Sequence, residues 1–121
     1  MGYLFTFERL ETWQLSKKFV IQIYSITNNF PSNEKFGLVS QLNRAAVSIA
    51  SNLAEGTSRT SKKDQAHFSQ IAYSSLMEVM CQLSIAYELN FVKSEDYVDI
   101  RRFAEEISNK INSLRNYQLN S

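Results

Sequence analysis

Apolar residues recur every three or four positions along most of the chain, which is the period of amphipathic helices. The pattern predicts four helices, over about residues 11–29, 38–55, 62–89 and 94–116. Pro31 ends the first helix, because proline disfavours helix at the residue before it. Ser61 and Asp64 resemble a capping box that begins the third helix, and Asn90 is suited to end it. Ser94 is expected to cap the fourth.

The third predicted helix is apolar on two opposite sides. One stripe comprises Phe68, Ala72, Ser75, Leu76, Val79, Leu83 and Ala86. The opposite stripe comprises Tyr73, Met77, Met80, Cys81, Ile85 and Tyr87. A helix that is apolar all round has to be covered twice, and a chain of 121 residues has few other elements to do this. We therefore expect the second stripe to meet another copy of the protein.

The other helices have one apolar side each. On the first helix the predicted core arc comprises Trp13, Val20, Ile23, Tyr24 and Thr27, with Phe19, Ile26 and Phe30 at its edge. Gly56 follows the second helix, where we expect the positive φ that ends many helices. With only 3 glycines and 1 proline, the loops should be short and neighbouring helices antiparallel. The predicted fold is all-α: one domain over residues 1–121, an antiparallel up-down four-helix bundle that oligomerises through helices 2 and 3.

A row of polar residues runs along the second helix at spacings of three and four. The row comprises Gln41, Arg44, Ser48, Asn52 and Glu55, and the third helix adds Ser74 and Glu78 one turn apart. An unpaired buried polar group costs about 1–3 kcal/mol, so such a row needs partners, and Arg44 with Glu78 is the natural ion pair. Two interpretations are open, a ligand or catalytic site and a hydrogen-bonded seam that fixes helix register or subunit geometry. We favour the structural polar seam.

No set of residues has the spacing of a metal or catalytic site. His67 has Gln70 and Ile71 where a second helical ligand would lie. Cys81 has no second histidine to activate it, so we expect a buried thiol rather than a nucleophile. The sequence also has no glycine-rich phosphate loop and no nucleophile elbow. The protein is therefore predicted not to be an enzyme, with no metal, cofactor or small-molecule substrate.

Basic residues near the second interhelical loop and the C-terminus are the remaining candidates for function. The candidate nucleic-acid-binding residues are Arg59, Lys62, Lys63, Lys110 and Arg115. Because the formal net charge is only +1, nucleic acid would have to be attracted by such a local patch. We see no aromatic residue inside the basic cluster and so expect little base preference. The alternative is that each is an ordinary solvated surface charge.

The sequence predicts neither export nor membrane attachment. The N-terminus lacks a basic stretch followed by an apolar one, and no apolar run approaches the ~18 residues of a membrane span. Cys81 is the single cysteine, which excludes an intramolecular disulfide and fits a reducing compartment. We expect a cytoplasmic protein with no membrane contact.

A long stretch centred on the second helix resembles the sequence motif of a known protein family. It comprises Phe36-Gly37-Leu38, residues 41–49 (QLNRAAVSI) and residues 52–56 (NLAEG). Further matches are Leu10, Trp13, Phe30-Pro31, Ile71-Ala72, Ser74, Ser75, Leu76 and Glu78. On these residues, nearly the whole chain resembles the four-helix-bundle proteins encoded by intervening sequences in bacterial 23S ribosomal RNA genes. The chain departs from that family at Ser16-Lys17, where a small apolar residue is frequent. It also has Asn43 where a basic residue is common, which makes its second helix less basic.

The resemblance implies a left-handed antiparallel bundle, often assembled as a ring of five subunits. In a ring, a modest basic patch is repeated, so several phosphate contacts can act together. The family also looks related to accessory proteins of diversity-generating retroelements, which bind reverse transcriptase and nucleic acid, so RNA or a nucleic-acid-processing protein is implied by analogy. The predicted function is therefore a non-enzymatic homo-oligomer, a pentamer, that binds such a partner. The alternative, favoured by the low net charge, is a protein-interaction scaffold with no nucleic-acid role.

Overall fold

Four long helices account for most of residues 2–120, the part of the chain that the computed structural model describes. They are α1 (Glu11–Thr27), α2 (Leu38–Thr57), α3 (Lys62–Glu88) and α4 (Ser94–Asn120). Two short 3-10 helices, Thr6–Arg9 and Ser32–Glu34, precede α1 and α2. No strand occurs among residues 2–120, so the all-α prediction is confirmed. None of the helices described here is apolar over a sufficient length to cross a membrane.

Each helix packs against its neighbours in the chain, and α1 also packs against α4. Within residues 2–120, no Cα atom of α1 comes within 8 Å of α3, and none of α2 comes within 8 Å of α4. Gln82, late in α3, donates a hydrogen bond to Gln41, early in α2, at 3.4 Å. Ser69, early in α3, donates to Gln118, late in α4, at 2.7 Å. These contacts fit a bundle of four helices around one core.

The core consists of buried apolar side chains from all four helices. Its largest fully buried members are Phe19, Ile23, Leu42, Ile49, Leu76, Val79, Leu83, Ile100, Ile107 and Ile111. Burying one such side chain contributes about 1.5–3 kcal/mol. On α3 the buried residues from Ala72 to Ala86 follow the first predicted stripe, which is confirmed over that length.

The second apolar stripe of α3 is covered only in part by α4. Tyr73, Met80 and Tyr87 are half-buried against the core. The rings of Tyr87 and Tyr97 stack with their centroids 4.2 Å apart. α4 therefore covers one edge of the stripe.

Three residues of that stripe stay exposed, and we call Met77, Cys81 and Ile85 the exposed α3 stripe. Met77 is 41% exposed and Ile85 is 49% exposed. Cys81, between them on the same side, is also exposed. The expectation of a buried Cys81 thiol is wrong for the single chain, because no other helix within residues 2–120 covers this side of α3.

The core-facing side of α1 differs from the sequence prediction. Phe19 is 0% exposed and lies edge-on to the ring of Phe103, with centroids 5.7 Å apart. Tyr24, placed in the core arc from the sequence, is instead 48% exposed. α1 carries apolar residues on a second side, where the half-buried Trp13 meets Phe7 of the N-terminal segment at 4.8 Å. The predicted core arc mixed residues from these two sides of α1. It therefore included Tyr24, which faces solvent, and placed the fully buried Phe19 at its edge.

Polar groups at the helix ends largely follow the sequence. Ser61 accepts a hydrogen bond from the backbone N–H of Asp64 at 3.0 Å, as a helix N-cap does. Asn90 has φ 64°, the left-handed conformation that ends α3. Gly56 was expected to behave likewise, but none of the glycines in residues 2–120 has positive φ. It lies inside α2, where an added Cβ would be only 3.2 Å from Cβ of Phe68, so it permits a close approach of α3.

Replacing Ser16 by Ala is expected to stabilise the protein by about 1–2 kcal/mol. Ser16 is 0% exposed, and its Oγ has no hydrogen-bond partner among the described residues. An unpaired buried hydroxyl carries a desolvation cost that alanine removes. Ser25→Ala, on the exposed side of α1, is the control and should show only the gain in helix propensity of roughly 0.5 kcal/mol. Urea unfolding of both variants tests this, and a destabilised Ser16→Ala protein would contradict it.

Candidate nucleic-acid interface

The loop between α2 and α3 is short and held by hydrogen bonds on both sides. Ser58 Oγ donates to the carbonyl of Glu55 at 2.7 Å, and Gln65 Nε2 donates to the carbonyl of Arg59 at 2.9 Å. The Ser61 cap fixes the start of α3. The cations on this loop and on the first turn of α3 are therefore presented from an ordered backbone.

Arg59 contacts both a carboxylate and an aromatic ring. Its Nη2 lies 3.2 Å from Oε2 of Glu55, and the two side chains are 42% and 51% exposed. The guanidinium carbon lies 4.6 Å from the centre of the Phe68 ring. An ion pair this exposed contributes at most about 1 kcal/mol, so it leaves Arg59 available to a phosphate. Glu55, assigned to the polar seam from the sequence, is the partner of Arg59.

Lys62 and Lys63 begin α3 and are both exposed. Within residues 2–120 neither has a carboxylate within ion-pair distance. Lys62 Nζ lies 5.6 Å from the centre of the ring of Tyr117, a residue of α4 that is 67% exposed. The expectation that no aromatic residue lies within the basic cluster is wrong, because Phe68 and Tyr117 both contact it. We call Arg59, Lys62, Lys63 and these two rings the basic end.

The two C-terminal cations lie on different sides of α4. Arg115 Nη1 donates to Oε1 of Gln70, on α3, at 2.6 Å. Lys110 Nζ lies 2.9 Å from Oε1 of Glu11, on α1. The hydrogen bond to Glu11 and the charge of that carboxylate raise the pKa of Lys110. Only Arg115 therefore lies on the α3 side, with the basic end, and the charge of Lys110 is paired.

The middle of the predicted polar seam forms a hydrogen-bonded group between α2 and α3. Ser48 Oγ lies 2.9 Å from Oγ of Ser75, which is buried. Asn52 Nδ2 donates to Oγ of Ser48 at 3.0 Å. The α3 partner is thus Ser75, and the predicted Ser74 is exposed.

The expected ion pair between Arg44 and Glu78 is not formed within the chain. Both residues are exposed, and no ion pair between them occurs among residues 2–120. Glu78 Oε2 instead accepts from Gln82 Nε2 at 3.2 Å, and the same Nε2 reaches Gln41. This end of the seam is solvated in the single chain because it lies on the outer side of the α2–α3 pair.

Buried polar side chains also make two contacts between helices that were not anticipated from the sequence. The buried Ser69–Gln118 hydrogen bond ties the start of α3 to the end of α4. Thr27, 3% exposed, donates to Oδ1 of Asn43 at 3.0 Å and so ties the end of α1 to α2. In each contact, the signal in the sequence is a polar residue on the core-facing side of a helix. That signal does not identify the partner, which lies far away in the chain.

The residues considered for other chemistry remain apart. His67 is exposed, and its ring meets that of Phe68 at 5.7 Å. Among residues 2–120, no three His, Cys, Asp or Glu side chains come together in a group that could hold a metal ion.

The fold and the basic end define a small all-α protein of four packed helices with an exposed cationic end. The chain belongs to the 23S rRNA-intervening sequence protein family, which it matches over residues 8–113. A solved structure with a similar fold is a protein of unknown function from the S23 ribosomal protein family of Bacteroides thetaiotaomicron VPI-5482. It is 22% identical, with a TM-score of 0.77 over 86% of this chain and 97% of that one. No curated protein matches the sequence, and neither description above names a catalytic activity.

Proposed function

We propose that this protein is a non-enzymatic, cytoplasmic homo-oligomer that binds RNA through its basic end. The observation that carries the proposal is the placement of Arg59, Lys62 and Lys63 together on an ordered, exposed loop and the first turn of α3 that follows it. Phosphate groups bind such cations with release of counterions, whatever the RNA sequence. The family is named for an intervening sequence of 23S rRNA, which makes RNA the nucleic acid to test first.

The proposed assembly is an antiparallel up-down bundle that oligomerises through α2 and α3, as a pentamer. The antiparallel topology is supported by contacts that join the start of one helix to the end of the next, such as Gln41 with Gln82. Oligomerisation is supported by the exposed α3 stripe, since apolar surface of this kind is often an interface. Arg44 and Glu78 flank that surface and are free of each other in the single chain, so they are available to the next subunit.

A protein-interaction scaffold without nucleic acid is the second candidate. The net charge of +1 favours it, because the molecule as a whole exerts little attraction on RNA. In this case the exposed α3 stripe mediates the protein–protein contacts that are the function, and the basic end is ordinary solvated surface.

Replacing Arg59, Lys62 and Lys63 together by Ala is expected to weaken RNA binding without changing the oligomeric state. Each lost phosphate contact should reduce the slope of log affinity against log salt by about 1. RNA titrations followed by fluorescence anisotropy at several salt concentrations, beginning near ~50 mM, measure affinity and slope together.

The matched control removes the same charge from the other end of the bundle. Lys93, Arg101 and Arg102 are all exposed. Lys93 follows the C-terminal end of α3, about 40 Å from Lys62, and Arg101 and Arg102 lie roughly 23 Å from Tyr117 along α4. Their joint replacement by Ala should leave the affinity near that of the wild-type protein. Equal losses for both triple variants would show that only overall charge matters. A wild-type protein that binds no RNA at ~50 mM salt would make the scaffold the better account.

A further inference from the structure

We infer that the ring of Tyr117 stacks on an unpaired RNA base, so that the basic end prefers single-stranded RNA to duplex RNA. This inference rests on the proposed function and names the form of RNA that it binds. Tyr117 lies on the last turns of α4, at the opposite end of the chain from α1, and outside the part that matches the family.

The position of Tyr117 is fixed by its neighbour in the chain. Gln118 is 7% exposed, and its Oε1 accepts the hydrogen bond from Ser69 at 2.7 Å. This buried contact holds the end of α4 against the start of α3. The ring of Tyr117, which is 67% exposed, is therefore presented from an anchored turn beside Lys62.

Lys62 and Tyr117 together offer the two contacts that one nucleotide needs. Lys62 Nζ, 5.6 Å from the ring centre, is near enough to bind a phosphate whose base lies on the ring. Stacking of a base on an aromatic side chain tolerates any sequence, because every base has a flat π-face. Phe68 is a poorer surface for stacking, because it is half-buried whereas the ring of Tyr117 is largely exposed.

The form of the RNA follows from the geometry of stacking. In a duplex, neighbouring base pairs cover the flat faces of the bases. The basic end can therefore contact only the phosphates and sugars of a duplex. A single strand can turn a base outward onto Tyr117 while its phosphates meet Lys62, Lys63 and Arg59. The cations then attract both forms of RNA, and the ring adds affinity for the single strand alone.

The test compares Tyr117→Ala and Tyr117→Phe with the wild-type protein on three probes. The probes are single-stranded polyuridylate, an abasic strand of the same length and a blunt RNA duplex. Tyr117→Ala should lower the affinity for polyuridylate about 5- to 100-fold and leave the other two affinities and the salt slope unchanged. Tyr117→Phe should bind like the wild-type protein, because the ring is kept. Tyr24→Ala, which removes an exposed tyrosine from α1, is the control and should change nothing.

The outcomes separate this inference from the proposed function. Polyuridylate and duplex bound equally well by the wild-type protein, with no loss in Tyr117→Ala, would overturn the stacking role and leave RNA binding intact. An equal loss on all three probes in Tyr117→Ala would also overturn it, since such a loss reflects a structural role of the ring. Failure of the wild-type protein to bind any probe would remove the proposed function and this inference together.

Discussion

Replacing Ile85 by Asp is expected to convert the oligomer into a folded monomer. Ile85 is 49% exposed in the single chain and lies on the exposed α3 stripe, so the substitution leaves the core intact. In the proposed assembly that side of α3 is buried against another copy. An unpaired carboxylate there would cost about 3–5 kcal/mol, which weakens each contact by a hundredfold or more. Size-exclusion chromatography with light scattering measures the mass, and circular dichroism measures the retained helix.

Val98→Asp is the matched control for Ile85→Asp. Val98 is 46% exposed and lies on α4, away from the proposed interface through α2 and α3. It should therefore keep the wild-type mass. Dissociation by Val98→Asp but not by Ile85→Asp would place the interface on α4. A wild-type protein that is monomeric at micromolar concentration would remove the assembly altogether.

The helices could be predicted from sequence because their determinants are local. The apolar period fixed their approximate extents, and Ser61 and Asn90 act at the ends of α3 as expected. The role of Gly56 could not be found in this way. Its small size matters because Phe68 approaches from α3, and that approach depends on how two helices pack rather than on the residues next to the glycine.

The exposed side of α3 was predicted only in part. Its two apolar sides are visible in the sequence, but their periodicity does not show how far α4 reaches around the helix. In the structure Tyr87 is covered by Tyr97, whereas Ile85 stays in solvent. The surface left for a partner is therefore narrower than the full second stripe.

The candidate site, like the exposed side of α3, was predicted only in part. Arg59, Lys62 and Lys63 are close in sequence, so their clustering needs no knowledge of the fold. Tyr117 joins them only because α4 returns its last turns to the start of α3, through a buried contact to Ser69 that no local pattern indicates. The ion pair between Lys110 and Glu11 joins residues at nearly opposite ends of the sequence, so it could not be predicted from a local pattern either.

Replacing Phe19 by Ala is expected to cost about 3–5 kcal/mol of unfolding free energy, because it empties a fully buried site beside Phe103. That is a large share of the roughly 5–15 kcal/mol that stabilises an ordinary domain. Tyr24→Ala, on the exposed side of the same helix, should stay within about 0.5 kcal/mol of the wild-type protein. Urea unfolding at one fixed protein concentration compares the two variants, since assembly makes apparent stability depend on concentration. A greater loss for Tyr24→Ala than for Phe19→Ala would show that α1 turns its predicted arc, and not Phe19, toward the core.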